Sequence, residues 1–288
     1  MAANFGRRIG FAAVAIPVAL GLVYLGGWPL VLLVAAAGVL GVKELFAFVP
    51  QADIRPMAAP GYLGAAVLAP LTYLALSSTA AAAFWGAWWP YVLALGLIAL
   101  LVWVLAVRPP EGHPIEAAGT TLLAVAYAAA LPAFLLVLRH HDRGLMSWAG
   151  TWLVFFPLIV TWICDTFAML GGMLIGGPKL APVVSPGKTR SGGVAGVIGA
   201  LLTGAVFAWW VFPAAGVHAG IMPVMFIALV LSIVGQLGDL VESLFKRQAG
   251  VKDSSALIPG HGGVLDRFDS LYFAIPVCAA FYRMLGIQ

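Results

Sequence analysis

The run FWGAWWPYVLALGLIALLVWVLAV, residues 84–107, decides the fold class of this chain. It contains 24 consecutive residues without a charged side chain. Because a helix needs about 20 apolar residues to cross roughly 30 Å of hydrocarbon, this run predicts a transmembrane helix. The whole chain shares its character, since 62% of the 288 residues are hydrophobic, 9% are charged and the mean hydropathy is +1.03. Soluble domains carry about 25% charged residues, so the composition indicates an integral membrane protein.

Similar apolar runs lie on both sides of this segment. We predict an all-α polytopic membrane protein with about nine transmembrane helices. The predicted spans are residues 9–27, 30–48, 61–76, 84–107, 117–138, 148–175, 192–212, 221–245 and 268–285. The first span follows Arg7 and Arg8, but no small-residue cleavage site closes it, so we expect a retained span rather than a signal peptide.

Positive charges fall mainly on one side of this predicted topology. With nine spans and a cytoplasmic N-terminus, twelve of the fifteen Lys and Arg residues lie on the cytoplasmic side, and Arg139, Arg143 and Arg283 lie outside. This bias follows the positive-inside rule. We therefore predict a multi-pass protein of the cell inner (cytoplasmic) membrane, with the charged C-terminal loop in the cytoplasm. Because the cations spread along one membrane face, the net charge of +4 requires no nucleic-acid partner.

The polar residues divide the chain into two predicted regions. Residues 1–145 form an N-terminal transmembrane scaffold, whose acids lie mostly near span ends, and residues 146–288 form a C-terminal transmembrane catalytic region. In the seventh span Gly192, Gly196, Ala200 and Gly204 recur every four residues, a pattern that lets another helix approach closely. We interpret this stripe as internal helix packing, with a homodimer interface as the alternative.

Acidic side chains inside the apolar runs indicate a functional site. Asp165 lies in the sixth span and Asp239 in the eighth, and an ionised carboxylate at such depth costs at least about 2.5 kcal/mol unless it is paired or hydrated. On a helix, Asp239, Glu242, Ser243 and Lys246 would share one face, because they follow at offsets of three, four and seven. A polar stripe therefore runs toward the cytoplasmic loop.

A second pair of acids opens the ninth span. Asp266 and Asp269 repeat the three-residue offset of Asp239 and Glu242. Two facing carboxylate pairs would form the hard-oxygen site that Mg²⁺ takes while it keeps substrate phosphates in its shell. We predict Asp239, Asp266 and Asp269 as metal ligands, and a salt-bridge network that pins helix ends is the alternative.

The segment SLFKRQAGVKDSSALIPGHGGVLDRFD, residues 243–269, joins these two pairs, and we call it the C-terminal signature. Its cations suit a polyphosphate, and its glycines leave backbone N–H groups accessible in a way that can cradle phosphate. The histidine can contact a phosphate or act only as a fixture of the loop. The residues predicted to bind substrate here are Ser243, Arg247, Lys252, Asp253, His261, Gly262, Gly263 and Arg267, with Lys246 as a catalytic cation beside Asp239, Asp266 and Asp269.

A further polar turn, SPGKT, lies between the sixth and seventh spans. It is not a Walker A motif, because Val183 stands where that motif requires glycine. The turn presents Ser185, Lys188 and Thr189, two hydroxyls and a cation suited to phosphate contacts. An ordinary positive-inside loop would explain the lysine but not the hydroxyl-rich rigid turn.

These motifs together resemble the bacterial phosphatidate cytidylyltransferases, or CDP-diacylglycerol synthases. That family's pattern is S-x-x-K-R, four residues, K-D, and later H-G-G-x-x-D-R-x-D. It is matched without a gap by Ser243, Lys246, Arg247, Lys252, Asp253, His261, Gly262, Gly263, Asp266, Arg267 and Asp269. The segments Asp165-Thr166, Ser185–Thr189 and Gly238-Asp239-Leu240 with Glu242 are also similar to the family. The motifs cover roughly residues 160–275, and the first half is similar only in hydropathy.

One position departs from the family's pattern. Family members usually follow the Lys-Thr pair with any residue, Glu and Gly, whereas Arg190, Ser191 and Gly192 follow it here. The acid is absent, so its role must be dispensable or supplied by another group.

The resemblance implies a specific reaction. CTP and phosphatidic acid would be the substrates, and CDP-diacylglycerol and pyrophosphate the products, within phospholipid biosynthesis. The lipid phosphate would attack the α-phosphorus directly, with Asp239, Asp266 and Asp269 holding Mg²⁺ and the cations neutralising phosphate charge. The resemblance also suggests a second, monovalent cation, for which no residue is identified.

Four alternative functions differ from this one in the sequence features that they require. A CTP- or ATP-dependent lipid-alcohol kinase, for polyprenol or phytol, is the nearest alternative, but it lacks the full Lys-Asp to His-Gly-Gly pattern. A transporter would usually show two related halves, whereas the polar groups here concentrate in one half. An alcohol phosphatidyltransferase would carry D-G-x-x-A-R, which is absent from this sequence. A non-catalytic scaffold would not need Asp239 and Asp266.

Overall fold

A computed structural model describes residues 16–49, 54–140, 144–258 and 262–287. The described chain is almost entirely helical, as its apolar runs predict. Its helices are α1 (Ile16–Leu25), α2 (Gly27–Ala47), α3 (Ala58–Leu76), α4 (Thr79–Val107), α5 (Pro114–Val125), α6 (Leu131–His140), α7 (Trp148–Ile175), α8 (Arg190–Val206), α9 (Phe212–Ala214), α10 (Ile221–Gln248), α11 (Leu265–Phe268) and α12 (Leu271–Leu285). Single π-helical turns join α5 to α6 at Ala126–Ala130 and α8 to α9 at Phe207–Val211.

The predicted fold class is confirmed. Within the described residues, seven helical segments are long and apolar enough to cross a membrane: Gly27–Ala47, Ala58–Leu76, Thr79–Val107, Pro110–His140, Trp148–Ile175, Arg190–Ala214 and Ile221–Gln248. They match the second to eighth predicted spans. The described part of the first span is the 10-residue helix α1, and the last span contains the 15-residue α12. The total of nine spans therefore stays a prediction.

Two local features differ from the predicted helices and turns. The SPGKT segment is a strand, β2 (Ser185–Thr189), which pairs antiparallel with β1 (Lys179–Ala181). Pro and Gly near a chain reversal are compatible with a hairpin as well as with a simple turn. The predicted ninth span is also interrupted, because α11 ends at Phe268 and α12 begins only at Leu271. This break places Asp269 at a helix junction.

The main apolar core draws side chains from both halves of the sequence. Leu30 and Leu136 share it with Phe156, Ile227 and Ile275, and all five are 0% exposed. Several helices of the first half thus pack directly on those of the second. The division into a scaffold and a catalytic region stays a prediction about function.

The small-residue stripe of α8 packs against neighbouring helices within the chain. A Cβ atom at Gly192 would lie 2.6 Å from the carbonyl oxygen of Ala168 in α7, and one at Gly204 would lie 2.8 Å from Cβ of Ala228 in α10. The interpretation as internal packing accounts for these glycines. Because α8 begins directly after β2, this close contact also fixes the hairpin beside the cytoplasmic end predicted for α7.

The opposite end of the bundle is held by Arg139, which is 0% exposed. Its guanidinium donates hydrogen bonds to the carbonyl oxygens of Val23, Tyr24 and Gly144 at 2.5, 2.7 and 3.0 Å. The bonds to Val23 and Tyr24 satisfy carbonyls that the end of α1 leaves without helical partners, and the bond to Gly144 holds the segment after α6. The ends of α1 and α6 therefore lie together, away from the C-terminal signature.

Candidate active site

A cavity of about 590 Å³ opens between α7, α8, α10 and the hairpin. One part of its wall is polar and another part is apolar, so it can accept a molecule that has both characters. The polar lining includes Asp165, Lys188, Thr189, Gln236 and Asp239, and the apolar lining includes Met169, Met173 and Leu180. The cavity therefore unites the SPGKT segment with the acids of α7 and α10, which sequence analysis identified separately.

Asp239 and Lys188 form an ion pair at this cavity. Ser243, one helical turn further along α10, donates to the other carboxylate oxygen of Asp239 at 3.3 Å. The Lys188 and Asp239 side chains are 27% and 23% exposed, so both remain accessible from the cavity. The pair joins β2 to α10 and neutralises one carboxylate near the site.

Asp269 approaches Asp239 because α10 carries glycine at the crossing point. A Cβ atom at Gly238 would lie 2.7 Å from the carbonyl oxygen of Asp269. The carboxylates of Asp165, Asp239 and Asp269 are near enough for their charges to interact, and Lys188 interacts with Asp165 and Asp269. Three acids from three separate segments therefore lie near one another, and a bound cation would relieve the repulsion between their carboxylates.

Asp266 has a different environment. Its Oδ2 accepts hydrogen bonds from the Ser254 N–H at 2.7 Å and the Gly263 N–H at 2.9 Å, and the Ser254 hydroxyl oxygen lies 2.8 Å from the same Oδ2. Its Oδ1 accepts one bond from Lys246 at 2.8 Å. Burial alone would raise the pKa of Asp266, but these hydrogen bonds outweigh burial and hold that pKa below its ordinary value. Asp266 is therefore ionised at neutral pH and organises the loop around it.

Lys246 connects the loop to α10. Its ammonium group lies 2.8 Å from Asp266 Oδ1 and 3.1 Å from Glu242 Oε1, and the Glu242 side chain is 0% exposed. The Glu242 contact is an ion pair by distance, while neither Glu242 oxygen receives a hydrogen bond of normal geometry. The face predicted for α10 is thus divided: Asp239 lines the cavity and accepts a hydrogen bond from Ser243, whereas Glu242 lies inside the protein beside Lys246.

Steric contacts explain why both described positions of the His-Gly-Gly motif, 262 and 263, are occupied by glycine. Gly262 has a φ of +77°, and a Cβ atom there would overlap the Asp266 carboxylate. A Cβ atom at Gly263 would overlap the Ser254 hydroxyl and the Glu44 carboxylate. His261 lies outside the described residues, so its predicted substrate contact stays a prediction.

The hydroxyl of Thr189 caps the N-terminus of α8. It accepts a hydrogen bond from the Gly192 N–H at 3.1 Å, which is an N-cap, and lies 3.1 Å from the Ser191 hydroxyl. Ser191 also donates to the Gly176 carbonyl at the end of α7. Ser191, the residue that departs from the pattern described above, therefore ties the first turn of α8 to the end of α7. Ser185 lies at the other end of β2, opposite Ala181.

Of the described residues predicted to bind substrate, only Lys188 and Thr189 line the cavity, and four of the others lie on the protein surface. Arg247 is exposed and donates to the Val184 carbonyl at 3.2 Å, which links the end of α10 to the hairpin. Lys252, Asp253 and Arg267 are exposed on the surface of the C-terminal signature. Their predicted contacts with substrate therefore concern the outer edge of the site.

The donor set fits a cation that substrate helps to coordinate. Within residues 16–49, 54–140, 144–258 and 262–287, no three His, Cys, Asp or Glu side chains come close enough to hold a metal ion by themselves. Mg²⁺ does not need such a cage, because it is usually bound by one or two carboxylates together with phosphate oxygens and water. The negative field around Asp239 and Asp269 meets that requirement.

Glu44 belongs to this region, although it lies within residues 1–145, the predicted scaffold. It is 6% exposed and lies near the end of α2. Its carboxylate accepts hydrogen bonds from the Ser254 and Ser255 hydroxyls and from the Val264 and Leu265 N–H groups, at 2.7–3.0 Å. An acid inside an apolar run was the available signal, the same one that identified Asp165 and Asp239.

Comparison with known proteins identifies the family to which this chain belongs. The profile of the cytidylyltransferase family matches residues 6–285. A protein of Staphylococcus epidermidis named phosphatidate cytidylyltransferase is 34% identical over 268 residues, which are 92% of this chain and 94% of that protein. Proteins with the same name from Staphylococcus saprophyticus and Staphylococcus haemolyticus are 45% and 44% identical over 128 residues, which are 44% of this chain and 48% of each relative. The chain therefore belongs to the cytidylyltransferase family.

Proposed function

We propose that this protein is a phosphatidate cytidylyltransferase, which converts CTP and phosphatidic acid to CDP-diacylglycerol and pyrophosphate. The observation that carries the proposal is the cavity in which Lys188 and Asp239 face an apolar wall that includes Met169, Met173 and Leu180. A nucleotide triphosphate needs the polar part, and a phospholipid needs both parts. The names and similarity of the relatives support the same reaction.

The chemistry requires little help from a general base. A phosphate monoester carries between one and two negative charges at neutral pH, since its second pKa is about 6. Its oxygen can therefore attack the α-phosphorus of CTP directly, forming the new P–O bond as the bond to pyrophosphate breaks. Positioning and charge neutralisation supply the catalysis.

The protein's cations and hydroxyls perform the neutralisation. Lys188 lines the cavity and holds phosphate oxygens in place, with Ser185 and Thr189 of the same strand orienting the substrate. Lys246 lies deeper, between Glu242 and Asp266, and stabilises negative charge that develops during the transfer. Since Lys188 is paired with Asp239 in this structure, substrate phosphates would compete with that carboxylate for the ammonium group.

Asp239 and Asp269 would hold Mg²⁺ together with phosphate oxygens and water. Asp266, the third predicted ligand, does not join them, because its oxygens are engaged by Lys246, Ser254 and Gly263, and it would instead hold the loop that leads to Asp269. When bound, the metal ion neutralises the triphosphate and stabilises the departing pyrophosphate. Asp165, which lines the same cavity, adds to the field that retains the cation. The second, monovalent cation that the resemblance implies has no assigned ligands.

The rest of the C-terminal signature would form the outer edge of the nucleotide site. Arg247, Lys252 and Arg267 attract the triphosphate from the cytoplasm, and Ser243 supports Asp239 by its hydrogen bond. Asp253 and His261 orient substrate groups at the loop. Gly262 and Gly263 hold the backbone in the close turn around Asp266.

Isotope labelling tests the reaction. With phosphatidic acid and Mg²⁺, the purified protein should convert CTP labelled at the α-phosphate into labelled lipid, and label at the γ-phosphate should appear only in pyrophosphate. A chiral α-phosphorothioate should react with inversion, because a single in-line displacement inverts phosphorus. Thin-layer separation of lipid and aqueous products measures the first result, and configurational assignment of the thio-product measures the second.

The same assay separates the alternatives. With a polyprenol or phytol added as the acceptor alcohol, a lipid-alcohol kinase would place the γ-label in that lipid and release CDP, which would contradict the proposed reaction. Retention of configuration would indicate a covalent nucleotidyl-enzyme and overturn direct attack even with CDP-diacylglycerol as product. A reaction without phosphatidic acid serves as the control for CTP hydrolysis.

We also propose residence in the cell inner membrane, with the C-terminal signature in the cytoplasm, as the distribution of Lys and Arg indicates. Single cysteines at Ala256 and His218 test it in a background in which Cys164 and Cys278 are replaced, because both new positions are exposed. An impermeant maleimide applied to intact cells should label His218→Cys and spare Ala256→Cys. Permeabilised cells should show both labelled, and the reverse pattern in intact cells would refute the orientation.

A further inference from the structure

Glu44 is a buried carboxylate whose hydrogen-bonding capacity is used at the C-terminal signature. Oε1 accepts from the Ser255 hydroxyl at 2.7 Å and the Val264 N–H at 3.0 Å. Oε2 accepts from the Ser254 hydroxyl at 2.8 Å and the Leu265 N–H at 2.9 Å. Both oxygens therefore join two segments of the signature loop, one before and one after its glycine turn.

The partners of Glu44 are directly connected to the acids of the site. The Val264 and Leu265 N–H groups lie at the start of α11, the short helix that carries Asp266 and ends beside Asp269. Ser254 donates its backbone N–H to Asp266, while its single hydroxyl proton is available to Asp266 or Glu44. A shift of the Glu44 carboxylate would therefore move the segment on which both acids depend.

The surroundings leave Glu44 little freedom to be replaced. A Cβ atom at Gly263 would overlap its carboxylate, so the loop backbone is packed directly against it. Water has little access to take over the four hydrogen bonds, because Glu44 is 6% exposed and Ser254 is 8% exposed. Donors left unsatisfied at such a site cost more than an average hydrogen bond contributes.

We propose that Glu44 is a positioning residue for the catalytic loop, through which α2 of the predicted scaffold sets the place of Asp266 and Asp269. The effect of Glu44 on catalysis rests on the proposed function. The effect of Glu44 on the loop does not rest on it, because the hydrogen bonds exist independently of the reaction. Glu44 touches the loop rather than the cavity, so it acts through those two acids.

Glu44→Gln tests this role with almost no change in volume. The amide presents an NH₂ group where one carboxylate oxygen accepts two hydrogen bonds, one from a serine hydroxyl and one from a backbone N–H. The hydroxyl can rotate and accept from the NH₂ group, but the backbone N–H of Val264 or Leu265 loses its acceptor. Amide hydrogen exchange of residues 262–268, measured by mass spectrometry on the full chain in nanodiscs, should accelerate by about tenfold or more. Segments within α7 should exchange as in the unmodified protein. Ser255→Ala, which removes one donor, should act in the same direction by a smaller factor.

The catalytic readout is the dependence on Mg²⁺. Displacement of the loop acids should raise the Mg²⁺ concentration for half-maximal activity by about tenfold, as changes behind metal ligands commonly do. Simple loss of folded protein would lower the maximal rate and leave that concentration unchanged. Glu116→Gln is the matched control, since its side chain is 51% exposed, contacts His113 and should leave both measurements unaltered.

The outcomes separate this inference from the proposed function. Unchanged loop exchange in both Glu44→Gln and Ser255→Ala would overturn the positioning role. Faster loop exchange with an unchanged Mg²⁺ requirement would overturn its catalytic consequence. If the unmodified protein formed no CDP-lipid, the proposed function would fail, while hydrogen exchange would still decide whether Glu44 holds the loop.

Discussion

Asp239→Asn should abolish Mg²⁺-dependent formation of CDP-diacylglycerol, with a loss of about 100-fold or more in kcat. That loss corresponds to about 2.7 kcal/mol in the activation barrier. Asparagine keeps the size of the side chain, but it removes one charge from the cluster with Asp165 and Asp269 and the partner of Lys188. The variant should remain folded, since Asp239 is at the cavity rather than in the apolar core.

The measurement is the initial rate with CTP and phosphatidic acid across a Mg²⁺ titration. Glu111→Gln is the control, because it removes the same charge from an exposed residue between α4 and α5. Size-exclusion chromatography in detergent shows whether each variant is folded. Activity of Asp239→Asn above about a tenth of the unmodified protein, a change under about 1.4 kcal/mol, would exclude Asp239 as a principal ligand.

Gly263→Ala should reduce activity by about tenfold or more, although it adds only a methyl group. That methyl would overlap Ser254 and Glu44, and both are held by further hydrogen bonds, so neither can simply rotate away. The loop must move instead, which weakens the Gly263 hydrogen bond to Asp266 and displaces an acid of the site. An effect of this size corresponds to about 1.4 kcal/mol in the barrier.

Gly119→Ala provides the comparison for this substitution. A Cβ atom at Gly119 in α5 would meet no atom within 4 Å, so that variant should retain full activity. The assay is the same initial rate, and hydrogen exchange of residues 262–268 reports the loop directly. Full activity of Gly263→Ala with an unaltered loop would contradict the steric argument.

Local sequence patterns predict the membrane fold because each transmembrane helix must itself be apolar over its whole length. A helix such as α4 must cover the hydrocarbon with its own residues, so its 29-residue apolar run is visible without any knowledge of its neighbours. The same holds for Asp165 and Asp239, because an acid inside an apolar run is costly wherever its partners lie. Tertiary contacts were not needed to identify either feature.

Features that depend on contacts with a second segment of the chain could be predicted from the sequence only in part or not at all. The SPGKT segment was predicted as a turn, because its pairing with β1 depends on contacts that turn chemistry does not specify. Glu44 was placed in the scaffold, although its hydrogen bond to Ser254 spans 210 positions in the sequence. Such a contact leaves no periodic pattern in either segment.

The sequence by itself determined a polytopic helical membrane protein and a dense set of acids and cations in residues 243–269. Only the tertiary structure decided how those residues divide their tasks. It set Asp239 against Lys188 at the cavity, surrounded Asp266 with donors and joined Glu44 of α2 to the start of α11. The physical reason is that composition and spacing determine what a segment must bury, whereas a carboxylate's role depends on which donors and charges the packed helices bring within a few ångströms.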